Sequence, residues 1–262
     1  MSVLKKLYTQ HKTYFELSKN DFKAKYTNSL LGAIWAFVIP LVIILVLWYV
    51  FEIGLKSAPI ENVPFMLFYL PAFISWNFFS DAFSGACGCL REYSYIVKKM
   101  KFKIEVLPVI KIVSSLYVHL FFILFTFVVF MLYGWKPDIH NLQVFYYLFA
   151  LLVLLTGLAL LFSSLSVFST DVNNIIAVIL QVGFWATPII WSPDSIPENV
   201  QRILKLNPMF YICNGYRESF VYLNWFWERP QLMIYFWTVT LFILFIGLYS
   251  FKKLRPQFSD VL

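Results

Sequence analysis

Charge is scarce in this 262-residue chain: only 13% of it is Asp, Glu, Lys or Arg. A soluble domain carries about 25% charged residues and about 45–50% apolar ones, whereas this chain is 60% hydrophobic with 29 Phe. That excess cannot be hidden in one water-soluble core, which excludes an ordinary soluble enzyme. Cysteine is nearly absent, at three residues; the low, odd count excludes a disulfide-stapled scaffold. His11, His119 and His140 stand on separate segments without metal-ligand spacing. Cys87 and Cys89 flank Gly88 and read as small-residue packing. No Gly-rich loop ending in Lys-Ser/Thr occurs, so the chain lacks that route to ATP. Convergent catalytic sets are missing too, as are paired acids deep in an apolar run. Asp81 reads as a carboxylate at a helix end in water, and His119 as a hydrogen-bonded packing residue.

Long uncharged runs are what the chain does have. A helix crosses the roughly 30 Å hydrocarbon layer with about 20 apolar residues. Six such spans are expected, at about 30–52, 63–83, 109–133, 144–168, 173–191 and 231–251. Residues 194–229 contain shorter, aromatic runs interrupted by Arg217 and Glu218, the pattern of interfacial or re-entrant helices. Asn207-Pro208 marks one helix start there, and 197–206 forms another short helix. Residues 1–24 form a Lys-rich amphipathic helix at the headgroup level rather than a cleavable signal peptide. The fold class is therefore an all-α integral membrane protein, a single domain over 1–262.

Fifteen of the 21 Lys and Arg residues fall in the N-terminal arm, in the 85–108 loop with Lys111, and after residue 251. Positive residues stay inside, so both termini and the 85–108 loop are expected in the cytoplasm and 194–229 outside. The net charge of +7 is then a topology signal and not a nucleic-acid footprint. Within the loop, Tyr93, Tyr95, Ile96, Val97, Met100, Phe102 and Ile104 alternate with charges, as in a short helix that docks on a partner or on lipid.

Four stretches together carry a family resemblance: KYTNSLLGAIWAFVIPL at 25–41, KKMKFKIEVLPV at 98–109, the run from Asp171 to Trp191 with LQVGFWATPIIW, and LNPMFYICNGYRESF at 206–220. They resemble the type-2 ABC transporter permeases that export lipid-linked polysaccharides and polyol phosphates. The Asn-Pro-Met and Gly-Tyr-Arg-Glu-Ser pieces look closest to the teichoic acid export branch. Lys101 stands where many relatives have Pro, and Thr170 where many have Arg.

The resemblance implies a half-transporter in the bacterial plasma membrane. Two copies would form the pathway, and two copies of a separate cytoplasmic ATPase would hold ATP and Mg. The chain itself would be neither an enzyme nor a cofactor carrier. Tyr95, Lys98, Lys99, Phe102 and Glu105 would contact the ATPase. Lys23, Lys25 and Tyr26 would meet the pyrophosphate of an undecaprenyl-type lipid-linked polymer. Trp35, Phe37, Phe184 and Trp185 would line the path, where aromatic faces stack on sugars. Arg217 and Glu218 would form an external gate or brace the outer helices. Wall teichoic acid is the expected cargo. O-antigen, capsule or a small hydrophobic drug are alternatives, and a membrane-embedded lipid enzyme or scaffold is the alternative from another class.

Overall fold

The computed structural model describes residues 3–27, 30–56, 63–95 and 104–262, and only the backbone of 3–13. Among the described residues the chain is all helical, without a strand. The order is α1 (Val3–Ala24), α2 (Trp35–Trp48), α3 (Phe65–Glu92), α4 (Val106–Leu132), α5 (Val144–Ser166), α6 (Asp171–Ala186), α7 (Glu198–Leu204), α8 (Pro208–Arg217), α9 (Pro230–Leu254) and α10 (Phe258–Val261). Among the described residues, four stretches are long and apolar enough to cross a membrane: Gly32–Gly54, Val106–Leu132, Ile139–Ser166 and Pro230–Val261.

The two other expected spans depart from the simple pattern. Helix α3 has 28 residues but carries Ser75, Asn77, Ser80 and Asp81, which dilute its hydropathy. It is also the centre of the bundle, packed by α4, α5, α8 and α6. Polar groups are tolerated there because protein, not lipid, surrounds them. It continues to Glu92, so 85–92 is helix and the loop expected over 85–108 is shorter. Helix α6 has only 16 residues, roughly 24 Å at 1.5 Å each. It stops at Ala186, not at 191, because Thr187 precedes Pro188. The proline ring drives the residue before it out of the helical region, and Thr187 is extended (φ −84°, ψ 135°).

Helix α5 starts where a 3-10 turn, Ile139–Gln143, is capped by Asp138, whose carboxylate accepts from the His140 N–H at 2.9 Å. The polar residues of that turn reach across to residues 219–224. The Asn141 amide donates to the Ser219 carbonyl at 2.6 Å and the Gln143 amide to the Asn224 carbonyl at 2.7 Å.

The segment 194–229, read as interfacial or re-entrant, is buried over α8. Helix α8 begins as its sequence suggests: Asn207 Oδ1 accepts from Met209 N–H at 3.0 Å and Pro208 fills the first position. Yet eight of its ten residues are buried. It re-enters the bundle against α3, α5 and α9, with Gly215 allowing the Tyr147 ring close in; a β-carbon there would lie 2.1 Å from it.

Candidate functional site

The end of α1 is held by two ion pairs of different character. Asp21, on the Lys-rich α1, is buried. Its carboxylate meets Lys111 Nζ of α4 at 2.7 Å, and Lys111 also meets Glu92 at the end of α3 at 2.7 Å. The Tyr93 hydroxyl donates to Asp21, and Lys111 lies 5.0 Å from the centroid of the Tyr93 ring. Burial first, then the hydrogen bond to Asp21, pushes the Tyr93 phenol far up, so it stays a proton donor. Beside this knot, Ser18 Oγ lies 3.0 Å from Tyr117 Oη, and Phe22 packs edge-on to Tyr117. Asp21→Asn is expected to destabilise the α1–α4 joint by about 1.5–3 kcal/mol, the worth of hydrogen bonds to charged groups. Glu92 still neutralises Lys111 in that variant. Thermal unfolding of the purified chain in detergent measures the loss.

Four residues on, Lys25 Nζ meets Asp81 Oδ1 of α3 at 2.5 Å. Both side chains are about two-fifths exposed (41% and 40%), which limits such a pair to about 0–1 kcal/mol. Asp81 is pinned from the other side, where Ser115 Oγ of α4 donates to its Oδ2 at 2.7 Å. The expectation of a carboxylate simply in water at a helix end is corrected accordingly.

This second pair opens on a cleft of about 260 Å³ between the α1–α2 junction, α3 and α4. Lys25, Tyr26, Trp35, Asn77, Asp81 and Ser115 line it, with His119 and apolar atoms of α2. Gly32, at φ +52°, makes the turn between α1 and α2. Tyr26 packs on Phe22 at 5.7 Å between centroids, and burial pushes its phenol up. His119 closes the deep side. Its ring stacks on Phe78 at 4.5 Å and its Nε2 lies 2.8 Å from Tyr216 Oη. One ammonium, one fixed carboxylate, hydroxyl and amide groups and two aromatic faces make a site for a small anionic group attached to apolar matter.

A second cavity of about 300 Å³ lies at the other end of α3. Arg217, fully buried, fills its floor. It donates to the carbonyls of Phe68 (3.0 Å), Ile189 (2.6 Å) and Pro188, and its guanidinium lies 4.0 Å from the Phe68 ring centroid. Glu218 pairs with Arg229 at 2.8 Å and accepts from the Asn224 amide at 2.7 Å.

The residues expected to act thus divide. Lys25, Tyr26 and Trp35 converge on the first cleft, while Lys23 is exposed in the last turn of α1. Phe37 does not line that cleft; it packs edge-on to Phe121 at 4.8 Å. Phe184 and Trp185 stand together on α6, 5.4 Å apart, with Phe184 facing Trp76 and Trp185 exposed. Tyr95 is exposed, and Glu105 pairs with Arg255 near the C-terminus. Lys98, Lys99 and Phe102 lie outside the described residues. Asp81, Ser115, Asp21 and Lys111 were not singled out from sequence as site residues. The only signal for Asp81, Ser115 and Lys111 was a carboxylate, a hydroxyl and an ammonium in otherwise apolar helices.

The described helices, four of them long and apolar enough to cross a membrane, define a membrane protein. Residues 13–221 match the family model described as ABC-2 type transporter, and the chain belongs to that family. It is similar to the O-antigen export system permease protein RfbA of Klebsiella pneumoniae, at 24% identity over 94% of this chain and 93% of that protein. It is also similar to the protein of that name from Myxococcus xanthus, at 25% identity over 98% of each.

Proposed function

We propose that the chain is the membrane-spanning half of an exporter that carries a lipid-linked polysaccharide of O-antigen type from the cytoplasmic to the outer face. The observation that supports it most is the convergence of Lys25, Tyr26 and Trp35 on one cleft beside α1. Nearly full-length relatives named as O-antigen export permeases point the same way. They lend no support to a teichoic acid cargo.

In this reading α2, α3, α4, α5, α6 and α9 cross the plasma membrane, and α6 completes its crossing through the irregular residues after Ala186. Both termini face the cytoplasm. The cleft takes the phosphoryl-bearing head of the lipid carrier as it slides along α1. The apolar faces of α2 and α6, which include exposed Ile39, Val42, Val46, Val178 and Val182, meet a second copy across the pathway. Phe184 and Trp185 pass sugars along. ATP and Mg belong to a separate ATPase, bound at the loop that carries Tyr95, Lys98, Lys99 and Phe102. Glu105 braces that loop through Arg255, and Arg217 and Glu218 brace the exit.

Because Glu105 is engaged within the chain, the test removes Tyr95 and Phe102. Co-expressed with its candidate ATPase, the wild-type chain is expected to co-purify as a two-plus-two complex. A Tyr95→Ala, Phe102→Ala variant should lose at least about tenfold in association, as buried aromatic anchors do at about 2 kcal/mol each. Failure of any ATPase to associate with the wild type would sink the exporter reading.

A further inference from the structure

Lys25 and Asp81 are the charged residues among those lining the cleft, and they occupy each other. They are not equally free to move. Asp81 projects from the central helix and is held by Ser115 of a second helix at 2.7 Å. Lys25 lies just past the end of α1, on a four-carbon stem, with 41% of its side chain exposed. Moving Lys25 does not detach α1, because the buried contact of Asp21 with Lys111 anchors the helix independently. The carboxylate is thus the stationary partner and the ammonium the movable one. The adjoining space of about 260 Å³ lies directly beside the movable ammonium.

We infer that Asp81 is a fixed internal stand-in for the ligand's anion: it holds Lys25 while the cleft is empty, gives it up to the phosphoryl-bearing head of a lipid, and reclaims it when the head leaves. This rests on the exporter reading for the identity of the lipid, but not for the exchange itself. Breaking the Lys25–Asp81 pair is a fixed cost whichever anion arrives, and the stationary carboxylate repels that anion. Asp81 therefore weakens binding of every phosphoryl ligand and speeds its release. A transport site has to let go of its cargo, so loose binding serves turnover. Removing Asp81 should accordingly move affinity and turnover in opposite directions, which a merely structural pin would not do.

The experiment uses the full chain in nanodiscs of neutral lipid, with inorganic diphosphate as the probe in titration calorimetry. Asp81→Asn is nearly isosteric and should bind diphosphate about tenfold tighter, from a freed ammonium and a lost repulsion. Ser115→Ala, which unpins Asp81, should leave binding within about threefold of wild type, and Lys25→Gln should weaken it at least about tenfold. Unfolding midpoints equal to wild type show that the variants fold. Polyprenyl diphosphate doped into the disc should block the probe, which assigns the site to a lipid head; no block would leave only a free-anion site and overturn the lipid assignment. In cells carrying the ATPase, Asp81→Asn should export more slowly despite tighter binding. Unchanged or weaker diphosphate binding by Asp81→Asn would overturn the exchange and make Asp81 a structural pin. The exporter reading is tested separately, by loss of surface polysaccharide when the chain is deleted.

Discussion

Arg217→Met should destabilise the bundle around Phe68, Pro188 and Ile189 by about 3–5 kcal/mol, the combined cost of carbonyls stranded at about 1–3 kcal/mol each. The reason lies in residues 187–190, which are buried yet not helical. Irregular backbone at such depth has carbonyls with no partner in their own segment. The Arg217 guanidinium supplies donors to Pro188 and Ile189 and, on the other side, to Phe68 at the start of α3. It also lies over the Phe68 ring, a contact worth about 0.5–2 kcal/mol. Methionine fills much of the space but donates nothing, and each stranded carbonyl costs about 1–3 kcal/mol, less where water enters from the adjoining cavity. Arg217→Lys should recover part of the loss, since one ammonium cannot span carbonyls that a planar fork reaches. Arg202→Ala is the contrast: its bridge to Glu198 is over 70% exposed on both sides and should be worth about 0.3–0.5 kcal/mol. Thermal unfolding in detergent ranks the three. Arg217→Met behaving like Arg202→Ala would refute the role given to the guanidinium.

Arg217 also shows where sequence reading stops. Apolar runs announce membrane helices because their cause, solvent exclusion over about 20 residues, is local; four of the runs emerge as helices of sufficient length and hydropathy. Helix α8 is different. Its ten residues include Asn214 and Arg217 and read as a surface element, because the carbonyls that justify a buried arginine belong to residues about 28 and 149 positions away. Asp21 is a similar case. Helical periodicity puts it on a polar face, and its partner Lys111 comes 90 positions later on another helix. The end of α6, by contrast, was written in Thr187-Pro188 and could have been read from that dipeptide alone. The family resemblance put Lys25 and Tyr26 at the lipid head and Trp35 on the path, and did not foresee that the three line one cleft. Their closeness to Asp81 and Ser115 depends on how α3 and α4 pack, which no single segment encodes.

Gly247→Leu should separate α9 from α5. The two helices approach backbone to backbone at Gly157 and Gly247, the arrangement by which small residues let membrane helices pack closely. A β-carbon on Gly247 would lie 2.3 Å from the Gly157 carbonyl oxygen, and one on Gly157 would lie 2.8 Å from Leu244 Cα. Neither neighbour is a flexible side chain, so the helices themselves would have to move. Overpacking costs about 1–3 kcal/mol when side chains can adjust, and a leucine against rigid backbone belongs at or above the upper end. Helix α9 packs along the length of α5, and its buried residues are Phe236, Thr240, Gly247 and Phe251, so a shift at Gly247 is passed along that interface. Even Gly247→Ala should be felt, with a smaller loss. Ser164 and Ser250 report the contact directly, since their hydroxyls lie 3.5 Å apart across α5 and α9. A Ser164→Cys, Ser250→Cys pair should cross-link under mild oxidation in the wild-type background and fail to do so with Gly247→Leu. Cross-linking at the wild-type rate in that variant would mean that α9 is held by something other than the glycine contact.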